Sequence, residues 1–555
     1  MASAIMDELF RGGVGLVVIS PGSRSAALAI AAAEHPNLET RVVLDERSAA
    51  FHALGRAKSS GMPAAIVSTS GTAPTNYFPA AVEADMSLTP LIVLSADRPE
   101  ELRGVGANQT IDQIRLFGDR VRFFADIEAP DSDFDGNNTW RSTVSKAVAM
   151  SLGQGDRPGP VHLNIAFREP TVPVVDDGRS RALEYPFTTE GRPGNLPWID
   201  LRMPEEESVD FELTPSARGL VIAGEGEYDG RRVLDAAVSM GWPVLATAQS
   251  GLRGFDVVSS YHHILSAGIP TSLMPEVVLT IGSVGPSLRL ENLIESSRDL
   301  RIRLDRWGRH IDPSLNATEV LRADPATLLE MHGPGKAPTD WTKAWSEVGR
   351  RVRSSTKEHL GQAPISGPVV ASALNQVAWE TLVVASSLPI RDVDAQLDRQ
   401  GLVIANRGAS GIDGFVSTSL GVASIASRTL AISGDLSLLH DSNGFLADSV
   451  DDLVIIVLDN NGGGLFDALP LAKHAPSYER LFVGPHDRDI EQLARFHDVA
   501  FTVAATPEAV IAESEERLGS GGRHLIRVPI DRGTDVETRR MLDEVSQAEV
   551  DLIEP

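Results

Sequence analysis

A chain of 555 residues is too long for a single hydrophobic core, so two or three domains are expected. A net charge of −26 excludes general binding to nucleic acid or to an anionic membrane surface. The absence of cysteine removes disulfides, thiolate metal sites, iron–sulfur clusters and cysteine nucleophiles, and no apolar run approaches the roughly 20 residues that cross a bilayer.

From the N-terminus, strand and helix patterns alternate. Residues 15–19, 41–44, 64–67, 91–94 and 161–165 are apolar runs of strand length, with helices expected over 24–34, over 48–60 and after Gly71. This is the pattern of a parallel α/β domain. The first residues carry Asp7 and Glu8 and no basic cluster, unlike a signal peptide, so the cytoplasm is the expected location. Prolines 170, 173, 186, 193, 197 and 204, with Glu205-Glu206-Glu207, mark a linker. A second α/β unit has strands expected at 220–223, 244–245 and 277–281. Between 333 and 367 come a Gly-Pro-Gly turn and a Trp-bearing amphipathic stretch. The third unit begins near Pro368. The predicted division is 1–175, a linker over 176–215, 216–335, a connecting segment over 336–367, and 368–555.

The third unit carries the most informative pattern. Gly434-Asp435-Leu436-Ser437 follows the apolar run 429–432, and Asp459-Asn460-Asn461-Gly462-Gly463 follows 453–458. In a parallel sheet both clusters fall at the carboxyl edge, where α/β folds bind ligands. Asp435 offers a charged oxygen, Asn460 a carbonyl oxygen and Gly462 a backbone carbonyl. Two phosphate oxygens and a water would complete the octahedron that Mg²⁺ prefers. Glycines 462 and 463 let the backbone approach closely. Only six of the 50 basic residues are Lys, so any anion pocket must be built from Arg. Arg24, Arg98, Arg391 and Arg407 all lie in loops at or near expected strand ends. The loop Gly224-Glu225-Gly226-Glu227-Tyr228-Asp229-Gly230 is off the dinucleotide spacing by one and too acidic for pyrophosphate. The thirteen His show no zinc spacing, and no G-x-S-x-G elbow is present.

The Gly-Asp…Asn-Asn pattern resembles the thiamin-diphosphate signature of the decarboxylase and carboligase superfamily. That resemblance implies three parallel-sheet α/β domains: pyrimidine-binding (1–175), central (216–335) and diphosphate-binding (368–555). It further implies a Glu, from a second subunit, that hydrogen-bonds the cofactor's pyrimidine N1′. Glu46, in Leu44-Asp45-Glu46-Arg47, is the candidate, and an apolar pocket is expected around it. The motifs Pro21-Gly22-Ser23-Arg24-Ser25, Asp45-Glu46-Arg47, Ser68-Thr69-Ser70-Gly71-Thr72-Ala73, Asp97-Arg98-Pro99, Gly106-Ala107-Asn108-Gln109, Asn406-Arg407-Gly408-Ala409-Ser410-Gly411-Ile412-Asp413-Gly414 and Asn460-Asn461-Gly462-Gly463-Gly464-Leu465-Phe466 resemble the MenD family more narrowly.

That family makes 2-succinyl-5-enolpyruvyl-6-hydroxy-3-cyclohexene-1-carboxylate from 2-oxoglutarate and isochorismate in menaquinone biosynthesis. By this resemblance Gly434, Asp435, Leu436, Ser437, Asn460, Gly462, Leu465, Phe466 and Ile412 contact thiamin diphosphate, and Asp435, Asn460 and Gly462 hold Mg²⁺ (or Mn²⁺). Ser387, Arg391 and Arg407 take the 2-oxoglutarate-derived carboxylate. Ser23, Arg24, Arg98, Asn108 and Gln109 face isochorismate. Arg289 contributes from the central domain, although Leu288 stands where the family often has Lys. Leu469 joins Leu465 and Phe466 in an apolar wall. A homodimer or homotetramer with active sites between subunits is implied, without nucleic acid or membrane insertion. The rival readings are an acetolactate-synthase-like carboligase, a 2-oxoacid decarboxylase, or a non-catalytic binding protein on the same fold.

Overall fold

The computed structural model describes residues 1–130, 136–172, 190–201, 211–214, 217–285, 287–335, 337–448, 452–473 and 477–553. Most of the expected linker over 176–215 lies outside these residues. Three sheets, parallel in every pair, organise the described chain. The first holds β1 (Leu16–Ile19), β2 (Glu39–Val42), β3 (Ala64–Ser68), β4 (Leu91–Asp97), β5 (Phe124–Ile127) and β6 (Pro160–Ala166), in the order 2-1-3-4-6-5. The second holds β7 (Gly219–Ala223), β8 (Val244–Ala246), β9 (Val277–Ile281), β10 (Leu300–Leu304) and β11 (Glu319–Leu321), in the order 11-10-9-7-8. The third holds β12 (Thr381–Val384), β13 (Leu402–Ala405), β14 (Thr429–Gly434), β15 (Leu453–Asp459), β16 (Ala500–Val503) and β17 (Arg523–Pro529), in the order 13-12-14-15-17-16.

The first and third orders are the same pattern, so the two outer units share one topology. Strands β1, β3, β4, β6 and β15 are buried along their whole length. Helices cover both faces, which is why these strands read as unbroken apolar runs rather than alternating ones. The expected strand over 41–44 lies two residues earlier, at β2. The helix expected over 48–60 starts at Glu46 (Glu46–Ser60), because the Asp45 carboxylate caps it by accepting the Ser48 N–H at 3.2 Å. The Trp-bearing stretch is the helix Thr339–Leu360. It buries Trp341 and Trp345 against the central sheet, and the Trp341 indole donates to the Gly219 carbonyl at 2.8 Å.

The outer units meet through the helices Glu46–Ser60 and Phe415–Ala423. Glycines make the approach possible: a Cβ on Gly55 would sit 2.1 Å from the Thr418 carbonyl oxygen, and one on Gly421 would sit 2.0 Å from that of His52. Asp441 is buried in this interface, where it accepts from Ser48 Oγ at 3.3 Å and from the Ser417 N–H at 2.8 Å. Burial pushes its carboxyl up from 3.8 to about 6, against hydrogen bonds that favour the anion. The folded chain therefore holds this proton more tightly than the unfolded chain. The group's contribution to stability falls as pH rises from about 4 to about 6. Asp441→Asn is expected to remove that slope, worth about 2–3 kcal/mol across the window. Unfolding midpoints at the two pH values test it; parallel profiles for wild type and variant would contradict it.

Candidate active site

The carboxyl edges of β12 to β15 surround a cavity of about 500 Å³. It lies where the strand order reverses between β12 and β14, the position at which open parallel sheets bind ligands. Register explains the juxtaposition. Gly434 pairs with Leu458, so Asp435 and Asp459 stand side by side just beyond, with Asn460 next along the chain. Gly434, Asp435, Leu436, Ser437, Asn460, Gly462, Leu465, Phe466 and Ile412 all line this cavity, together with Ser387, Arg391 and Arg407. Gly462 is sterically required, whereas a Cβ on Gly434 would meet nothing within 4 Å. A Cβ on Gly462 would lie 2.4 Å from the Val483 carbonyl oxygen, and one on Gly464 would lie 2.4 Å from Asn460 Nδ2.

The donor set at this edge suits a hard cation. Asp435 is 1% exposed, and burial pushes its carboxyl up, against the N–H groups that favour the anion. Its Oδ2 accepts the Gly462 N–H at 2.9 Å and faces His486 Nε2 at 3.2 Å. Ligand atoms of Asp435, Asp459 and His486 lie within 4.8 Å of one another. Asp459 is engaged by Arg527 at 2.6 Å. The Asn460 side chain has no hydrogen bond among the described residues, although it borders the cavity. The Gly462 carbonyl accepts the Gly464 N–H at 3.0 Å, which leaves it one further lone pair. A buried carboxylate, an unpartnered amide and a turn with no room for a Cβ at Gly462 fit a divalent cation carrying a diphosphate.

Arg391 and Arg407 give the cavity its positive charge. Burial pushes both guanidinium groups down, and for Arg407 the neighbouring Arg391 adds to the effect. Neither forms an ion pair among the described residues. Arg391 donates to the Ser387 carbonyl at 2.5 Å, and Arg407 donates to Ser386 Oγ at 3.2 Å. Ser387 has φ 80°, a left-handed conformation that costs about 1–3 kcal/mol for a residue with a side chain. It precedes the helix Leu388–Gln396 that presents Arg391. The central unit braces that helix: Asp394 accepts the Ala248 N–H at 2.8 Å and pairs with Arg253 at 3.3 Å. Two cations held close together, neither in an ion pair among the described residues, are arranged for an anionic ligand.

A second group of predicted residues gathers at the edge of the first sheet. Arg24 donates to the Phe167 carbonyl at 2.9 Å and pairs with Glu169 at 2.9 Å, while its buried Nε has no partner. Arg98 donates to Ser70 Oγ and to the Gln109 carbonyl. Burial pushes Arg98 down, and Arg24 adds to this, so the two guanidinium groups are neighbours. Gln109 Nε2 donates to the Ser70 carbonyl at 3.0 Å; Ser23 and Asn108 are exposed. Glu46 is half-buried, and its charge reaches the Tyr77 hydroxyl, which burial already pushes up. Neither Glu46 nor any of these residues lines the 500 Å³ cavity of its own chain.

Two predicted residues stand elsewhere. Arg289 pairs with Asp543 at 3.3 Å, and Leu469 is 41% exposed; neither lines the cavity. Sequence reasoning missed Asp459 and His486. It also missed the cavity floor, where Arg539 bridges Asp392 (2.8 Å) and Asp535 (3.1 Å). The one signal in the chain was the second Asn of the motif, since Asn461 Oδ1 accepts the N–H of His486 at 3.0 Å and of Asp487 at 2.9 Å.

Comparison with known proteins accords with this geometry. Residues 1–116 match the family described as thiamine pyrophosphate enzyme, N-terminal TPP binding domain. The chain is 38% identical to the 2-succinyl-5-enolpyruvyl-6-hydroxy-3-cyclohexene-1-carboxylate synthase of Geobacillus kaustophilus, over 98% of this chain and 96% of that protein. It is 38% identical to the enzyme of the same name from Thermobifida fusca, over 99% of both chains. The corresponding protein of Chloroflexus aurantiacus is 39% identical over 97% of this chain and 95% of its own length. Similarity of this extent over the whole length places the chain in the family of 2-succinyl-5-enolpyruvyl-6-hydroxy-3-cyclohexene-1-carboxylate synthases.

Proposed function

We propose that this chain decarboxylates 2-oxoglutarate with thiamin diphosphate and Mg²⁺ or Mn²⁺. It then adds the succinyl unit to isochorismate by 1,4-addition, in menaquinone biosynthesis, and releases CO₂. The observation that carries the reading is the 38% identity over 99% of both chains to a relative bearing that synthase name. The cavity adds independent physical support, because it pairs a cradle suited to a cation and diphosphate with two arginines that form no ion pair among the described residues.

When bound, thiamin diphosphate supplies the carbon nucleophile and the electron sink for the departing CO₂. The protein supplies position, charge and dryness. Asp435, Asn460 and the Gly462 carbonyl hold the cation, and through it the diphosphate. Ile412, Leu465 and Phe466 form the apolar wall that keeps water from the reacting carbons. Ser387, Arg391 and Arg407 hold the donor's remaining carboxylate. Ser23, Arg24, Arg98, Asn108 and Gln109 take the acceptor's carboxylates. Glu46 holds and moves the proton at the pyrimidine N1′. Its position outside its own chain's cavity supports a site shared with a second copy, with a homodimer as the minimal active unit and a homotetramer as a pair of them. On this reading 1–175 is the pyrimidine-binding domain and 368–555 the diphosphate-binding domain.

Arg391→Ala and Arg407→Ala are each expected to raise KM for 2-oxoglutarate about tenfold to a hundredfold, since a charged hydrogen bond contributes about 1.5–3 kcal/mol. Donor choice tests the function itself. Purified protein with cofactor and Mg²⁺ should release CO₂ from 2-oxoglutarate in strong preference to pyruvate. Preference for pyruvate would favour an acetolactate-synthase-like carboligase or a simple 2-oxoacid decarboxylase.

A further inference from the structure

Arg407 lies on the loop that leaves β13, and a residue of the first unit holds that loop. Glu83, on the helix Phe78–Met86, is 3% exposed, yet both of its carboxylate oxygens are engaged. Oε1 accepts the Gly408 N–H at 3.0 Å, and Oε2 accepts the Ala409 N–H at 2.6 Å. Lys58 donates to Oε1 at 2.9 Å and, from the same ammonium, to the Ala405 carbonyl at 2.8 Å. The backbone is therefore gripped on both sides of Arg407, at Ala405 and at Gly408–Ala409. Contact is close enough that a Cβ on Gly408 would fall 2.8 Å from both the Glu83 carbonyl oxygen and the Ser87 nitrogen. Such a device is more than a surface ion pair, because Glu83 and the Lys58 side chain are both buried (3% and 6% exposed).

We infer that Glu83 is a positioning residue for the donor site: with Lys58, it sets the loop that aims Arg407 at the 2-oxo acid's carboxylate. The inference rests on the function proposed above. An oriented guanidinium loses much of its advantage when its backbone drifts, because bidentate recognition of a carboxylate is geometrically strict. Gln at position 83 keeps the shape but offers one oxygen where two are used, and its amide would face an N–H.

Steady-state kinetics of the full-length enzyme, loaded with thiamin diphosphate and Mg²⁺, test the inference with 2-oxoglutarate and isochorismate varied separately. Glu83→Gln is expected to raise KM for 2-oxoglutarate about tenfold and leave KM for isochorismate within about twofold. In an Arg407→Lys background the same substitution should add little, because it acts through Arg407. Gly408→Ala disturbs the loop from its other side and should raise the same KM; it carries the test if Glu83→Gln does not fold. Unchanged KM for 2-oxoglutarate in these variants, or an equal rise for both substrates, overturns the inference. A wild-type enzyme that does not turn over 2-oxoglutarate overturns the functional reading instead.

Discussion

Glu46→Gln is expected to bind thiamin diphosphate almost normally and to lose turnover by about 10²- to 10⁴-fold, the range typical of a positioned proton-transfer group. Gln fills the same space but cannot exchange a proton with a ring nitrogen. The position should survive the change, because neighbours set it. Asp45 caps the helix at the Ser48 N–H, and Arg47 donates to the His440 carbonyl at 2.8 Å. Cofactor affinity by calorimetry and CO₂ release in a single turnover separate the two effects. Near-normal turnover in Glu46→Gln would remove Glu46 from the chemistry. Loss of cofactor binding in the same variant would make it a structural residue.

Asp435→Ala is expected to weaken Mg²⁺-dependent cofactor binding by more than about a hundredfold, equivalent to about 2.7 kcal/mol. The physical reason lies in its burial. A carboxylate 1% exposed is costly as an isolated anion, and a divalent cation offsets that cost. Removing the side chain removes the only charged ligand among Asp435, Asn460 and Gly462. The neighbouring Asp459 is a poorer substitute, because Arg527 engages one of its carboxylate oxygens at 2.6 Å. Chelation of the metal in wild type should reproduce the loss, and added Mg²⁺ should restore function in wild type only. If Asp435→Ala retains cofactor with unchanged Mg²⁺ dependence, the cation lies elsewhere.

What the sequence revealed followed from short-range physics. Asp435 and Asn460 each follow a buried apolar strand, and parallel pairing brings such strand ends together. The register of Gly434 with Leu458 is that consequence realised. The place of Glu46, at the start of a helix just past a strand, was visible for the same reason. Contacts set by long-range packing were not visible. His486 reaches Asp435 across 51 residues, after an irregular turn of helix at Glu479–Val483 that no periodicity announces. Glu83 reads as an ordinary polar position of a helix. Its role depends on a loop 325 residues later. Arg289 shows the same limit: its partner Asp543 lies 254 residues later, on the C-terminal helix Arg532–Asp551.

The two outer sheets also clarify the division of labour. Their common strand order gives each a carboxyl edge with a switch point. The third sheet's edge encloses the cation donors and Arg391 with Arg407, whereas the first sheet's edge displays Glu46, Arg24 and Arg98 away from that cavity. On the proposed reading, a site assembled from both edges would bring proton transfer and acceptor recognition to one side of the cofactor, and anchoring and donor recognition to the other.

The most direct measurement follows isochorismate in the presence of purified protein, Mg²⁺, thiamin diphosphate and 2-oxoglutarate. The account predicts loss of isochorismate in step with CO₂ release, one for one, and no loss when either 2-oxoglutarate or thiamin diphosphate is omitted. Release of CO₂ with isochorismate left intact, or consumption of isochorismate without 2-oxoglutarate, would contradict it.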